Sequence, residues 1–211
     1  MSNECRQPRR TARALILLTS ALALVAAAWF VIPVAASSEP RTWENGVVRF
    51  YDAGDLGRTV TTAAERWNES GARVRFVEVR SPEDADVIID VDERELRKAC
   101  GADCLGYSTS IGRPSGGPAR VLLASELAGE PRPLSVWVMA HEFGHVLGLH
   151  HRDGRACSLM SAHAFDTSCA PSLAASPPTA DQLACVPAPA DVKEVAAMYG
   201  GRLMRHDTRC R

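Results

Sequence analysis

The run His141-Glu142-Phe143-Gly144-His145-Val146-Leu147-Gly148-Leu149-His150-His151 constrains this chain more than any other stretch of its 211 residues. His141 and His145 are four positions apart, so on a helix both imidazoles leave the same face one turn apart. That spacing suits two nitrogen ligands of one tetrahedral metal ion. Glycine at 148 can end the helix and turn the chain back through the left-handed region, which other residues enter only at a steric cost. His151, three residues later, can then supply a third nitrogen. His150 competes for that place but does not fall at the Gly-x-x-His spacing; it is read as a neighbour of the ligands or as solvent-facing. Nine residues past His151, Ser158-Leu159-Met160-Ser161 places a methionine in a turn of small residues. The fold has to bring a helix, a chain reversal and this turn to one point.

Three neutral imidazoles leave the fourth zinc position to water, the mark of a catalytic rather than a structural site. Glu142 stands where a carboxylate can take a proton from that water and later return it to a leaving group. The plainer reading is a helix whose histidines are ordinary core or surface residues. It leaves Gly148, His151 and Met160 without a reason.

At these residues the chain resembles the metzincin metalloproteases, whose pattern is H-E-x-x-H-x-x-G-x-x-H followed by a Met-turn. His141, Glu142, His145, Gly148, His151 and Met160 fill every position. Gly144 and the Leu159-Met160-Ser161 turn look most like the matrixins and the small bacterial snapalysin-type enzymes. The third ligand is the matrixin choice, since snapalysins carry Asp there. Ala162 stands where astacin-like and serralysin-like enzymes have Tyr, and the matrixin cysteine-switch motif is absent. Strong similarity spans residues 134–161.

The resemblance implies an α+β, metzincin-like catalytic domain, with a twisted mixed β-sheet of about five strands over an active-site helix and a C-terminal helix. It implies one catalytic Zn²⁺ held by His141, His145 and His151, with Met160 as an apolar floor. It further implies an endopeptidase that hydrolyses peptide bonds of a protein or peptide substrate through a zinc-bound water activated by Glu142. Asp191 to Gly200 looks like the last helix of a matrixin domain. A protease must hold its substrate extended, and a sheet edge does so by taking the peptide as another strand. By its order relative to the zinc helix, Leu105–Ser110 is the candidate edge, with Gly106, Tyr107, Ser108 and Thr109 as substrate contacts. Two rival functions are a non-catalytic zinc-binding extracellular module, against which the intact Glu142 argues, and a zinc hydrolase acting on a non-protein amide. Calcium binding by Asp52, Asp55, Asp84 and Asp92 is a further reading, but no calcium-loop pattern supports it.

The N-terminus reads as an export segment. Arg6, Arg9, Arg10 and Arg13 precede an uncharged, largely apolar run from Ala14 to Ser38, and Glu4 is the one acid before it. Residues 1–38 are accordingly a signal peptide, with Val34-Ala35-Ala36 resembling a cleavage site, or a signal anchor long enough to span a bilayer. Residues 39–211 would form the catalytic domain, secreted or held on the outer face of the cytoplasmic membrane, with membrane contact only through the N-terminal segment. Six of the seven cysteines follow that segment, an even set that suits an exported disulfide framework. Proximity favours Cys157–Cys169 around the Met-turn, a bridge similar to one in snapalysin-like enzymes; Cys100–Cys104 and Cys185–Cys210 would be the remainder. Without the leader, 24 basic and 25 acidic side chains become 20 and 24, about −4 net, and no basic patch points to nucleic acid. A monomer is expected.

Hydrophobic periodicity predicts strands at Val47–Tyr51, Arg73–Val79, Ala85–Val91, Leu105–Ile111 and Arg120–Ser125. It predicts helices at Arg58–Ser70, with Val60, Ala63, Ala64 and Trp67 inward, at Leu134–Gly148, and at Asp191–Tyr199 with Asp191 as N-cap and Gly200 as C-cap. Ala85–Val91 reads as covered on both faces, and Ala170–Pro189 as irregular.

Overall fold

The computed structural model describes residues 41–129, 133–152, 158–162 and 187–203. Residues 1–38 lie outside them, as do Cys157, Cys169, Cys185, Cys210, His163, His206 and almost all of the Ala170–Pro189 stretch. Among the described residues no helix is long and apolar enough to cross a membrane.

Five strands form one mixed sheet: β1 (Val47–Asp52), β2 (Arg75–Glu78), β3 (Val87–Asp90), β4 (Gly106–Ser108) and β5 (Ala119–Leu123), in the order β2-β1-β3-β5-β4. The first four in that order run parallel, and β4 closes one edge antiparallel to β5. Four helices accompany them: α1 (Arg58–Asn68), α2 (Glu93–Cys100), α3 (Pro133–Leu147) and α4 (Pro189–Tyr199). This is the α+β architecture expected, consistent with a metzincin-like layout.

Strand alternation sets the core face. In β1, Val48 and Phe50 are buried while Val47 and Arg49 face out. Phe50 and Phe76 meet Phe143 of α3 at ring-centroid distances of 5.8 and 4.1 Å, so this face lies against the central helix. Within α3 only Pro133, Leu134 and Trp137 escape full burial; a helix apolar all round belongs in a core. The inward stripe of α1 (Val60, Ala63, Ala64, Trp67) is buried as expected, and the Trp67 indole N–H reaches the Ala140 carbonyl of α3 at 2.9 Å.

Three expectations need correction. β3 is not covered on both faces: Val87 and Ile89 are buried, but Ile88 and Asp90 are only half-buried. Its outer face carries ion pairs instead, Asp86 with Arg49 at 3.0 Å and Asp90 with Arg120 at 3.2 Å. Second, hydrophobic periodicity does not predict α2. Its sequence offers a single buried apolar residue, Leu96, so periodicity is silent there. The legible signal was the cap, because the Asp92 side chain accepts the Glu95 N–H at 2.9 Å. Third, α4 begins at Pro189 and Asp191 does not cap it. Asp191 sits fully buried in the first turn, where its carboxylate accepts the Ser158 hydroxyl at 2.6 Å and the Leu159 N–H at 2.8 Å. Gly200 does end the helix, at φ 80°.

Candidate metal centre

The two halves of the histidine motif are oriented by backbone carbonyls. His141 Nδ1 lies 2.7 Å from the Leu159 carbonyl and His145 Nδ1 lies 2.8 Å from that of Leu149. With each Nδ1–H donating there, both Nε2 lone pairs are left to point away from the carbonyls, into the cleft. After α3 the chain turns at Gly148, φ 106°, and the Leu149 N–H returns to the Gly144 carbonyl at 2.9 Å. This reversal delivers His151, whose Nε2 stands 3.2 Å from His141 Nε2 and 3.0 Å from His145 Nε2. His141 and His145 are buried and His151 is exposed. Among the described residues these three are the one group of His, Cys, Asp and Glu side chains that could hold a metal ion. His150 also borders the cleft but is exposed and outside the trio. Asp52, Asp55, Asp84 and Asp92 form no such group; Asp52 accepts the Gly57 N–H and Asp92 caps α2.

The surroundings fit a divalent cation. Burial, reinforced by the neighbouring His145, lowers the pKa of His141 to about 3, and burial lowers that of His145 to about 4. Both imidazoles therefore stay neutral, as metal ligands must be. Glu142 is buried, its Oε2 has no hydrogen-bond partner, and burial pushes its pKa up to about 8. An orphaned carboxylate oxygen beside three converging nitrogens leaves capacity for water and positive charge. Trp137, one turn before His141, stacks on its ring at 5.5 Å. Periodicity had offered no reason to single Trp137 out.

Met160 is fully buried, its sulfur against Gly144. A methyl group at 144 would collide with that sulfur, so the glycine between the two histidines gives the Met160 side chain the space it occupies. The Asp191 carboxylate holds the turn from the other side through Ser158 and Leu159. Arg152, whose N–H bonds the Met160 carbonyl at 2.9 Å, pairs with Glu194 of α4.

A cleft of about 1060 Å³ runs between β4 and α3, with the three histidines and Glu142 in its wall. Gly106, Tyr107, Ser108 and Thr109 all line it, the first three on the edge strand. They are not equivalent. The Thr109 N–H is committed to the Arg120 carbonyl at 2.9 Å, and in an antiparallel pair alternate residues turn their peptide groups to the partner. Tyr107, opposite Leu122, shares that orientation, so Gly106 and Ser108 turn their peptide groups to the other side, where the Gly106 carbonyl already meets the Cys104 sulfur at 3.1 Å. Gly106 also lies against Glu142: a Cβ there would fall 2.5 Å from its Oε1. Along the cleft Cys100 and Cys104 are joined by a disulfide, one of the three bridges expected; the cysteines of the other two lie outside the described residues.

No family model matches the chain, and no curated protein matches it. Among solved structures it is similar to that of myroilysin, with a TM-score of 0.37 and 19% identity over 52% of this chain and 52% of that one. The chain thus matches about half the length of that protein.

Proposed function

We propose that this chain is an exported, zinc-dependent endopeptidase of metzincin type, matrixin-like or snapalysin-like, acting on protein or peptide substrates as a monomer. One observation carries the reading: three Nε2 atoms, two of them aimed by carbonyls behind their rings, gather beside a buried carboxylate at the wall of a cleft edged by an open strand. His141, His145 and His151 would hold the ion. When bound, zinc supplies Lewis acidity and makes water nucleophilic near neutral pH.

Everything else is the work of the chain. Glu142, whose pKa burial raises to about 8 and a cation held by the three nitrogens would lower, accepts the proton of the attacking water and delivers it to the leaving amine. The Gly106 N–H and the backbone groups of Ser108 are offered to an extended peptide, which would join the sheet beyond β4. Trp137 and Tyr107 supply apolar surface around the reacting bond. Outer-face or extracellular location is supported by the arginine-then-apolar N-terminus and by the Cys100–Cys104 disulfide; residues 1–38 would be the leader or anchor and 39–211 the catalytic domain.

Glu142→Gln tests the assignment. It should retain zinc while casein cleavage falls by at least about 10²-fold, the scale of a lost general base. A variant that keeps normal turnover would remove Glu142 from the chemistry. Cleavage by the unaltered protein that survives chelation would remove the metal.

A further inference from the structure

We propose that Trp43 and Tyr199 are positioning residues for the third imidazole: they grip the last carbonyls of α3, from which the chain turns to place His151. The proposal rests on the reading of the three histidines as one metal site.

The final carbonyls of a helix find no partner within it. At the end of α3 the Gly144 carbonyl takes the local Leu149 N–H, and each of the last three is met by a donor from a distant part of the chain. The Val146 carbonyl accepts the Trp43 indole N–H at 2.7 Å in a buried bond. The Leu147 carbonyl accepts the Tyr199 hydroxyl at 3.0 Å. The His145 carbonyl accepts N–H groups of Gly112 at 2.8 Å and Gly148 at 2.9 Å. These donors are joined to one another: the Trp43 backbone N–H donates to the Tyr199 oxygen at 3.4 Å, and the Arg113 backbone N–H, next to Gly112, donates to the Arg41 carbonyl at 2.7 Å. Residues 41–43, residues 112–113 and the end of α4 thus form a collar round one helix terminus.

Position gives the collar its consequence. Val146, Leu147 and Leu149 are fully buried, so water is a poor substitute for a lost donor. Only Gly148, Leu149 and His150 separate the collared turn from His151. His141 and its helical turn have other anchors, the Leu159 carbonyl and the Trp67 bond to Ala140. A displaced helix end therefore moves His151 more than His141.

The test uses full-length protein and Zn²⁺ affinity measured by chelator competition, with folding followed by circular dichroism. Trp43→Phe keeps a ring and loses the N–H; Tyr199→Phe loses only the hydroxyl. Each should weaken zinc binding about tenfold, the lower end seen when groups that orient ligands are lost, while the protein remains folded at the assay temperature. In a His151→Ala background Trp43→Phe should add no further loss. Unchanged affinity accompanied by a lower melting temperature would make the collar merely structural and overturn the proposal. So would a tenfold loss that persists without His151. Should Trp43→Phe fail to fold, Tyr199→Phe carries the same two comparisons. Failure of the metal-site reading looks different: the unaltered protein would bind no zinc, or His141→Ala would bind as well as it does.

Discussion

Replacing Gly106 by alanine puts the relation between the edge strand and Glu142 to a quantitative test. Gly106 has no positive φ, so alanine meets no backbone penalty and the effect is steric. The added methyl would stand 2.5 Å from Glu142 Oε1, 2.9 Å from Val138 Cγ1 and 3.0 Å from Glu142 Cδ, where ordinary contact begins at 3.4 Å. The carboxylate or the strand has to move by about 0.9 Å. Val138 is buried in α3 and β4 is paired to β5, so the Glu142 side chain is the softest of the three. A misplacement near 1 Å costs up to about 10² in rate, and overpacking costs about 1–3 kcal/mol of stability. Gly106→Ala should therefore lose most of its kcat on a peptide substrate and keep its zinc affinity, because the atoms nearest the new methyl belong to Glu142 and Val138 and not to a ligand. The assay is steady-state cleavage alongside metal content. A zinc-loaded Gly106→Ala with unaltered kcat would refute the steric argument, and loss of zinc would show that the strain travels to the ligands.

Three further outcomes follow from the same geometry. His151→Ala should weaken zinc binding sharply by chelator competition, at least about tenfold, whereas His150→Ala should leave it unchanged; the reverse would reassign the third ligand. Asp191→Ala leaves the Ser158 hydroxyl and the Leu159 N–H buried without their acceptor and should cost on the order of 2–4 kcal/mol in urea unfolding, a cost that unchanged stability would disprove. In metal-free protein, His141 and His145 resist protonation when folded, with pKa values lowered to about 3 and 4, while the unfolded chain takes up protons near 6.5. The contribution of these two rings should thus be full above about pH 6.5 and fall as pH drops towards 4, while Glu142, raised to about 8, contributes the opposite trend; in chelated Glu142→Gln protein, which lacks that carboxyl, thermal melts that show no fall over the window would contradict the burial of these rings.

Local rules carried much of this molecule. The four-residue spacing of His141 and His145, the glycine at 148 and the stripe of α1 are consequences of helix geometry and of which residues tolerate a left-handed turn, so a one-dimensional pattern displays them. The alternation in β1 likewise marks the face that meets α3. Other features depend on partners far away in the chain. β3 has a solvated face because Arg49 and Arg120 come to its acids, and no period within Ala85–Val91 contains that information. α2 rests on one buried leucine and a cap, too little for a periodic signal. Asp191 looks like a cap by sequence position; it serves the Met-turn because α4 docks there. The crowding that favours glycine at 106 and 144 exists only once Glu142 and Met160 lie against them. Local chemistry could name which side chains were able to hold a metal ion. Whether their nitrogens meet, and what holds the helix end that aims the third, was settled by long-range packing, since burial and carbonyl orientation are properties of neighbours that sequence order does not place together.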